Sequence, residues 1–374
     1  VKRRLFLKSL FSVGLEAACL MSMPLGFQGC APRLPDSTPA ADSPASGLTL
    51  REIAARKLHH QGQPFTNPFD PTVHGSLWKV LSWKLFHRND FKKHYHEEKI
   101  RPVVVDFNAV RGHQGLAVTF IKHSCLLIKD QDKYLLVDPI FRSMFRFIQD
   151  FSPLAFNPDQ IPKPDHVLIT HGHRDHLDID SLAGLDRKTH LISPLGYQDE
   201  FDQLGMNNRT QLDWFESHAD GNLKITLLPC HHWTMRNPLL GPNRSLWGSF
   251  LIQTATGPTI FIAGDSAYFR GYQEIGREFD VDLAVFNLGA YEPRWFMKGG
   301  HMNPEEVVRS FQELGARKLM IAHWGTFRLG DEPVHFPPLD LHREMEKQGL
   351  LDRLVQVDHG QTLFFQDGVI SGPG

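Results

Sequence analysis

Residues 167–178, VLITHGHRDHLD, place His171, His173, Asp175 and His176 within six positions at the end of an apolar run. Imidazole and carboxylate groups together suit zinc, iron or manganese. Gly172 lets the backbone turn tightly, so one short loop can aim four side chains inward. Alone the string is moderately diagnostic, because the chain holds 21 histidines and clusters arise by accident. Further candidate ligands end other apolar runs: His231 and His232 after KITLLPC, Asp265 after TIFIAG, and His323 after KLMIA. Adjacent strand residues point to opposite faces, so only one of His231 and His232 can enter a shared site.

These ligands need rigid elements to hold them, and strand ends supply rigidity. The runs LAVTFI, CLLI, YLLVDP, HVLIT, HLISP, KITLLP, WGSFLIQT, TIFIAGD, LAVFNLG, KLMIAH and TLFF read as strands between turn-forming residues. Helices are expected at about 178–185, 304–314 and 339–348. The second has Asn303 as N-cap, Pro304 in the first position and Glu306 in the third. Mixed strands with intervening helices predict a layered α/β domain over residues 115–374.

The remainder of the chain reads differently. Residues 1–30 begin with a basic cluster, continue apolar apart from Glu16, and end Gly29-Cys30. That layout is an export signal, with Arg3-Arg4-Leu5-Phe6-Leu7-Lys8 similar to the bacterial twin-arginine pattern. Gly29-Cys30 resembles a lipoprotein cleavage box, although Phe27 and Gln28 depart from its usual residues. The expectation is an exported bacterial protein on the periplasmic side, anchored to the membrane through lipidated Cys30. Residues 31–50, rich in Pro, Ala, Ser and Asp, read as a flexible tether.

Residues 51–114 form an N-terminal extension, partly helical. Within it Leu77, Val80, Leu81 and Leu85 fall at helical spacing beside Trp78, Lys79, Trp83 and Lys84. Either this helix lies at a membrane interface or it packs on the main domain. A formal net charge of −2 removes the electrostatic case for nucleic acid. Cys125 and Cys230 lie in strand-like runs and read as buried thiols, not as a disulfide framework.

HxHxDH after a strand, with later His, Asp and His at strand ends, resembles the metallo-β-lactamase superfamily. The resemblance implies an αββα four-layer sandwich and two divalent metal ions, zinc first, with iron or manganese as alternatives. It implies that His171, His173 and His232 hold one ion, that Asp175, His176 and His323 hold the other, and that Asp265 bridges them. VDPIF (137–141), LPCHHW (228–233), LWGSF (246–250), AGDSAY (263–268), GAYEPRWFM (289–297), HMNPEE (301–306) and AHWGTF (322–327) look like the branch hydrolysing N-acyl phosphatidylethanolamine. That branch implies phospholipase D chemistry on a phospholipid at a membrane surface, and a homodimer.

On this reading Asp175 ligates metal and orients the nucleophile. His301 contacts the phosphate or protonates the leaving oxygen, and Asp138 and His123 orient ligand imidazoles. Glu292, Arg294, Trp295 and Phe296 are either a substrate wall with a phosphate-facing Arg294 or an aromatic loop closing the sandwich. Lys122-His123 and Ser266-Ala267 depart from the branch's Gly-His and Thr-Gly, and residues 236–246 lack its acidic groups. Two other functions stay open: a lactonase or soluble phosphodiesterase on the same scaffold, and a non-catalytic lipid- or metal-binding lipoprotein.

Overall fold

A computed structural model describes residues 45–60, 62, 64–69, 83, 88–144, 148–237, 239–366 and 368–373. The export signal, Cys30, most of the tether and nearly all of the 77–85 helix lie outside the described residues.

Among the described residues fourteen strands form two mixed sheets. The larger is built from β1 (Leu116–Lys122), β2 (Cys125–Asp130), β3 (Lys133–Val137), β4 (His166–Leu168), β5 (His190–Pro194), β6 (Arg209–Leu212), β13 (Thr362–Gln366) and β14 (Val369–Pro373), in the order β14-β13-β1-β2-β3-β4-β5-β6. The smaller is built from β7 (Ser217–Asp220), β8 (Leu223–Leu228), β9 (Ser249–Gln253), β10 (Thr259–Ile262), β11 (Leu283–Asn287) and β12 (Lys318–Ala322), in the order β12-β11-β10-β9-β8-β7.

The central strands of the larger sheet, β1, β2 and β4 with most of β3 and β5, are buried on both faces because their apolar residues serve two cores in alternation. Phe120, Leu126, Ile128, Leu135, Val137 and Leu168 face the core shared with the smaller sheet. Their neighbours Ile121, Cys125, Leu127, Leu136, Val167 and Ile169 face a second core. Helices α2 (Phe107–Gly112), α3 (Ile179–Ala183) and α4 (Gln198–Gln203) contribute Phe107, Val110, Leu182 and Phe201 to that second core. Helices α5 (Gly271–Glu278), α7 (Pro304–Leu314) and α8 (Phe336–Lys347) pack with the smaller sheet through Tyr272, Ile275, Val308, Phe311 and Leu341. This is the αββα sandwich expected from the sequence.

Helix α7 starts as its sequence predicts, with the Asn303 side chain accepting from Glu306 N–H and the Glu306 carboxylate accepting from Asn303 N–H. Cys125 and Cys230 are free and buried.

The tether ends earlier than its composition suggests. Ala45 and Leu50 are buried in the main core, and helix α1 (Leu50–Ala55) is capped by Thr49. Its first N–H donates to Glu274 of α5. Small and apolar residues at 45–50 therefore serve packing, a role that Pro-Ala-Ser composition conceals. Trp83, the one described residue of the 77–85 helix, is buried, and its indole N–H donates to Asp331 at 2.8 Å. No helix among the described residues is long and apolar enough to cross a membrane.

Candidate metal centre

Six strands deliver the site from one edge. His123 follows β1, Asp138 follows β3, the 171–176 loop follows β4, His232 follows β8, Asp265 follows β10 and His323 follows β12. Within each sheet these strands run the same way, since β3 and β4 are parallel and β1 and β3 both pair antiparallel with β2. In the smaller sheet β10 is linked to β12 through parallel pairs, and to β8 through two antiparallel ones. Their carboxyl ends therefore converge, the place where open α/β sheets present ligands.

Backbone turns at these ends are strained. His123, Asp138 and His323 adopt φ of 51°, 39° and 69°, uncommon for residues with a side chain. Close approach helps hold them: a Cβ on Gly289 would lie 2.4 Å from the His323 carbonyl oxygen.

Two clusters of potential ligands result, one of His171, His173, His232 and Asp265, the other of His123, Asp175, His176 and His323. In the first, Nδ1 of His173 lies 3.0 Å from Nε2 of His171 and 3.3 Å from Nε2 of His232. Two nitrogens each 2.0–2.1 Å from one zinc ion stand roughly 3.3 Å apart at the tetrahedral angle, so the three rings fit a common ion. Asp265 Oδ2 lies 3.8 Å from each of those Nε2 atoms.

In the second cluster Nε2 of His176 lies 3.6 Å from Asp175 Oδ2 and 3.3 Å from Asp265 Oδ2. Nε2 of His323 lies 3.4 Å from Asp175 Oδ2 and 3.4 Å from Asp265 Oδ1. Asp265 thus faces both clusters, the position a bridging ligand needs. Nε2 of His176 and Nε2 of His323 are buried without a hydrogen-bond partner. Buried polar atoms rarely lack a partner, and a cation beside the two carboxylates accounts for both. The residues fit two divalent metal ions.

Electrostatics agree with that fit. Burial first, and neighbouring imidazoles with it, hold His171 and His232 well below their ordinary pKa, and burial brings His173 to about 4. Neutral imidazole is the ligating form. Burial opposes charge on Asp175 and Asp265 too, but the surrounding histidines outweigh it and keep both carboxylates ionised well below the usual range. His176 is the exception: Asp265, Asp175 and Asp138 together overcome its burial and raise it well above its ordinary value.

A surrounding set of hydrogen bonds orients the ligands. Asp138 accepts from His176 Nδ1 at 2.7 Å and from the Thr170 N–H and hydroxyl at 2.8 and 2.6 Å. His123 Nε2 lies 3.0 Å from Asp175 Oδ2. His123 also belongs to the second cluster of potential ligands. Two partners escaped sequence reasoning. The Asn287 amide donates to Asp265 Oδ1 at 2.8 Å, and the Gly300 carbonyl lies 3.0 Å from His232 Nδ1. Asn287 ends the LAVFN run, the same strand-end signal that marked the ligands; a backbone carbonyl carries no sequence signal.

His301 stands at the mouth, its Nδ1 4.0 Å from Asp265 Oδ2 and its side chain partly exposed. Burial pushes its imidazole down to about 4, so the ring is neutral at pH 7. His231 bridges to Ala267 outside both clusters, while His232 lies within the first.

A phosphate-facing Arg294 is not what the fold builds. Its guanidinium donates to the carbonyls of Tyr291 and His301 at 3.2 and 2.9 Å and pairs with Glu306 at 2.7 Å. The side chain is held by its own loop and fixes the backbone of His301. Glu292 likewise accepts from the Arg294 N–H, and Phe296 lies 5.3 Å from the Trp83 ring. Trp295 alone of this group is exposed. The loop closes the sandwich beside the site.

Residues 133–324 match the family model described as "Beta-lactamase superfamily domain". The chain belongs to this superfamily, and fold, family and ligand clusters together define a metal-dependent hydrolase. Among curated proteins it is 34% identical over 262 residues to the mitochondrial N-acyl-phosphatidylethanolamine-hydrolyzing phospholipase D of Saccharomyces cerevisiae, an alignment covering 66% of this chain and 55% of the yeast protein. It is 29% identical over 354 residues to N-acyl-phosphatidylethanolamine-hydrolyzing phospholipase D 1 of Caenorhabditis elegans, covering 87% of this chain and 98% of the worm protein. A metallo hydrolase from Ignicoccus hospitalis shares the fold at a TM-score of 0.53 and 19% identity, over 67% of this chain and 98% of that one.

Proposed function

We propose that the protein is a phosphodiesterase with two zinc ions that hydrolyses N-acyl phosphatidylethanolamine or a closely related phospholipid, as a phospholipase D. The observation that carries this reading is the pair of His/Asp clusters sharing Asp265, in a chain similar along most of its length to a worm enzyme named for that reaction. Water adds to phosphorus, the bond from phosphorus to the ethanolamine oxygen breaks, and N-acylethanolamine and phosphatidate leave. Two divalent ions, when bound, acidify water and polarise the phosphoryl oxygens.

The chain's own residues do the remainder. Asp175 and Asp265 present carboxylates to the attacking water and hold the ligand rings in register. His301, partly exposed and beside Asp265, offers a ring N–H to the leaving oxygen as its charge develops. Arg294 keeps the His301 backbone in place. A lipid substrate accords with the apolar rim: Leu239 and Leu240 stand exposed on the loop whose Arg236 donates to the carbonyls of Gly172 and Leu177. Export to the periplasmic side, anchoring through Cys30 and a homodimer complete the proposal.

The test is a turnover panel with the purified holoprotein. N-acyl phosphatidylethanolamine in mixed micelles should release N-acylethanolamine, and Asp265→Ala should abolish the release. Turnover of lactones or soluble phosphodiesters with no lipid cleavage would overturn it, and an inert protein would point to a binding role.

A further inference from the structure

A second group of imidazoles lies at the opposite end of β4. His166 opens β4 and His190 opens β5, paired directly in the parallel register. His218 sits on β7 of the other sheet, two residues before Asp220, so both project from one face of that strand. The ring centroids of His166, His190 and His218 are 5.2, 5.5 and 4.6 Å apart pairwise, and one nitrogen from each falls within a 4.8 Å group. His171 of the catalytic clusters lies about 15 Å further along the β4 direction, at the strand's rise per residue.

The hydrogen bonds around the triad decide which nitrogens face one another. Nε2 of His166 lies 3.0 Å from Asp220 Oδ2, and a carboxylate only accepts, so Nε2 carries the proton and Nδ1 the lone pair. Asp220 also holds Lys133 Nζ at 2.6 Å, which makes it an orienting partner of His166. Nε2 of His190 lies 2.9 Å from the Thr210 hydroxyl, leaving its Nδ1 3.1 Å from Nδ1 of His166. That separation matches two nitrogens on one tetrahedral ion, which stand roughly 3.3 Å apart. A carboxylate behind one ligand imidazole and a hydroxyl behind the next are the supports metal-binding histidines ordinarily have.

We infer that His166, His190 and His218 bind one divalent transition-metal ion, separate from the catalytic pair, that staples the two sheets at the end away from the active site. Three imidazoles suit zinc, with the fourth position left to water because His190 and His218 are only partly buried. The ion's role is to stabilise, since its ligands join β4 and β5 of one sheet to β7 of the other.

The experiment is a zinc titration of chelator-stripped protein against a chromophoric competitor. Wild type should bind one zinc per chain more than the double variant His190→Ala/His218→Ala, which should keep lipid turnover. Asp265→Ala/His173→Ala should still bind the zinc that the double variant lacks. Because the result is a difference in count, it does not depend on what the catalytic clusters hydrolyse. Equal counts in wild type and double variant would overturn the inference. Should the double variant misfold, zinc-edge anomalous diffraction from the wild type decides: a peak among the three rings supports the site, and its absence after zinc loading refutes it.

Discussion

Asp138 and His176 are 38 residues apart, yet the carboxylate accepts from the imidazole at 2.7 Å and so aims Nε2 at Asp265 and Asp175. Removing the orienting charge while leaving the ligands should loosen metal binding. Asp138→Asn is expected to weaken zinc affinity about 10–100-fold, as is usual for partners of ligand histidines, measured by competition with a chelator. His301→Ala should separate from it, losing about 10²–10⁴ in kcat as an acid–base group does while zinc content stays unchanged. At this scale the sequence was highly legible. Candidate ligands are of few residue types and end strands, so His171, His173, Asp175, His176, Asp265 and His323 stand out in the chain itself, while the choice of His232 over His231 came from the resemblance. Arg294 was not legible, because an arginine reads the same whether it meets a phosphate or the carbonyls of its own loop.

The first described element shows how an N-terminal segment becomes part of the sandwich. Behind α1, Lys57, His59 and His60 all converge on Asp213, between β6 and β7, at 2.5, 2.6 and 2.8 Å. The His59 ring stacks on Trp214 at 4.1 Å. Burial would raise the Asp213 carboxyl, but His59 and Lys57 outweigh it and hold the group well below its ordinary 3.8. A carboxylate depressed in the folded state contributes stability above its unfolded pKa and loses it as pH falls through the folded value. The stability lent by Asp213 is therefore intact at neutral pH and lost only below about pH 4. Asp213→Ala leaves the buried His59 Nε2 without its partner and should cost about 1–3 kcal/mol at pH 7, read from urea denaturation, with early proteolysis near residues 57–60. The strands and the long α7 were legible from period and capping. Strands β6 and β7 were not, since RTQL and SHAD carry little apolar signal and are held by their neighbours' hydrogen bonds.

For the whole molecule, two sheets pack face to face and present, at one end of their strands, a cluster of carboxylates and imidazoles that fits a cation. Metal binding is consequently folding free energy as well as chemistry. Each ion present at a thousand times its Kd adds about 4 kcal/mol. Chelation should lower the thermal midpoint sharply, zinc should restore it, and Asp265→Ala should respond far less to either, as scanning calorimetry would show. Protons compete with the ions for His176, which the surrounding carboxylates hold well above its ordinary pKa, so zinc affinity should fall as pH is lowered. The sequence by itself determined the chemistry available and a layered α/β domain that carries it, because ligand type, strand period and strand-end placement are local properties of the chain; the sandwich came from the resemblance those motifs carry. Only the tertiary structure decided that Asn287 and Gly300 lie against Asp265 and His232, that Arg294 turns to the carbonyls of its own loop, and that His166, His190 and His218 meet across two sheets. Arg294 apart, those relations join residues that lie far apart in the chain, and no local pattern records which strand edges will pack together.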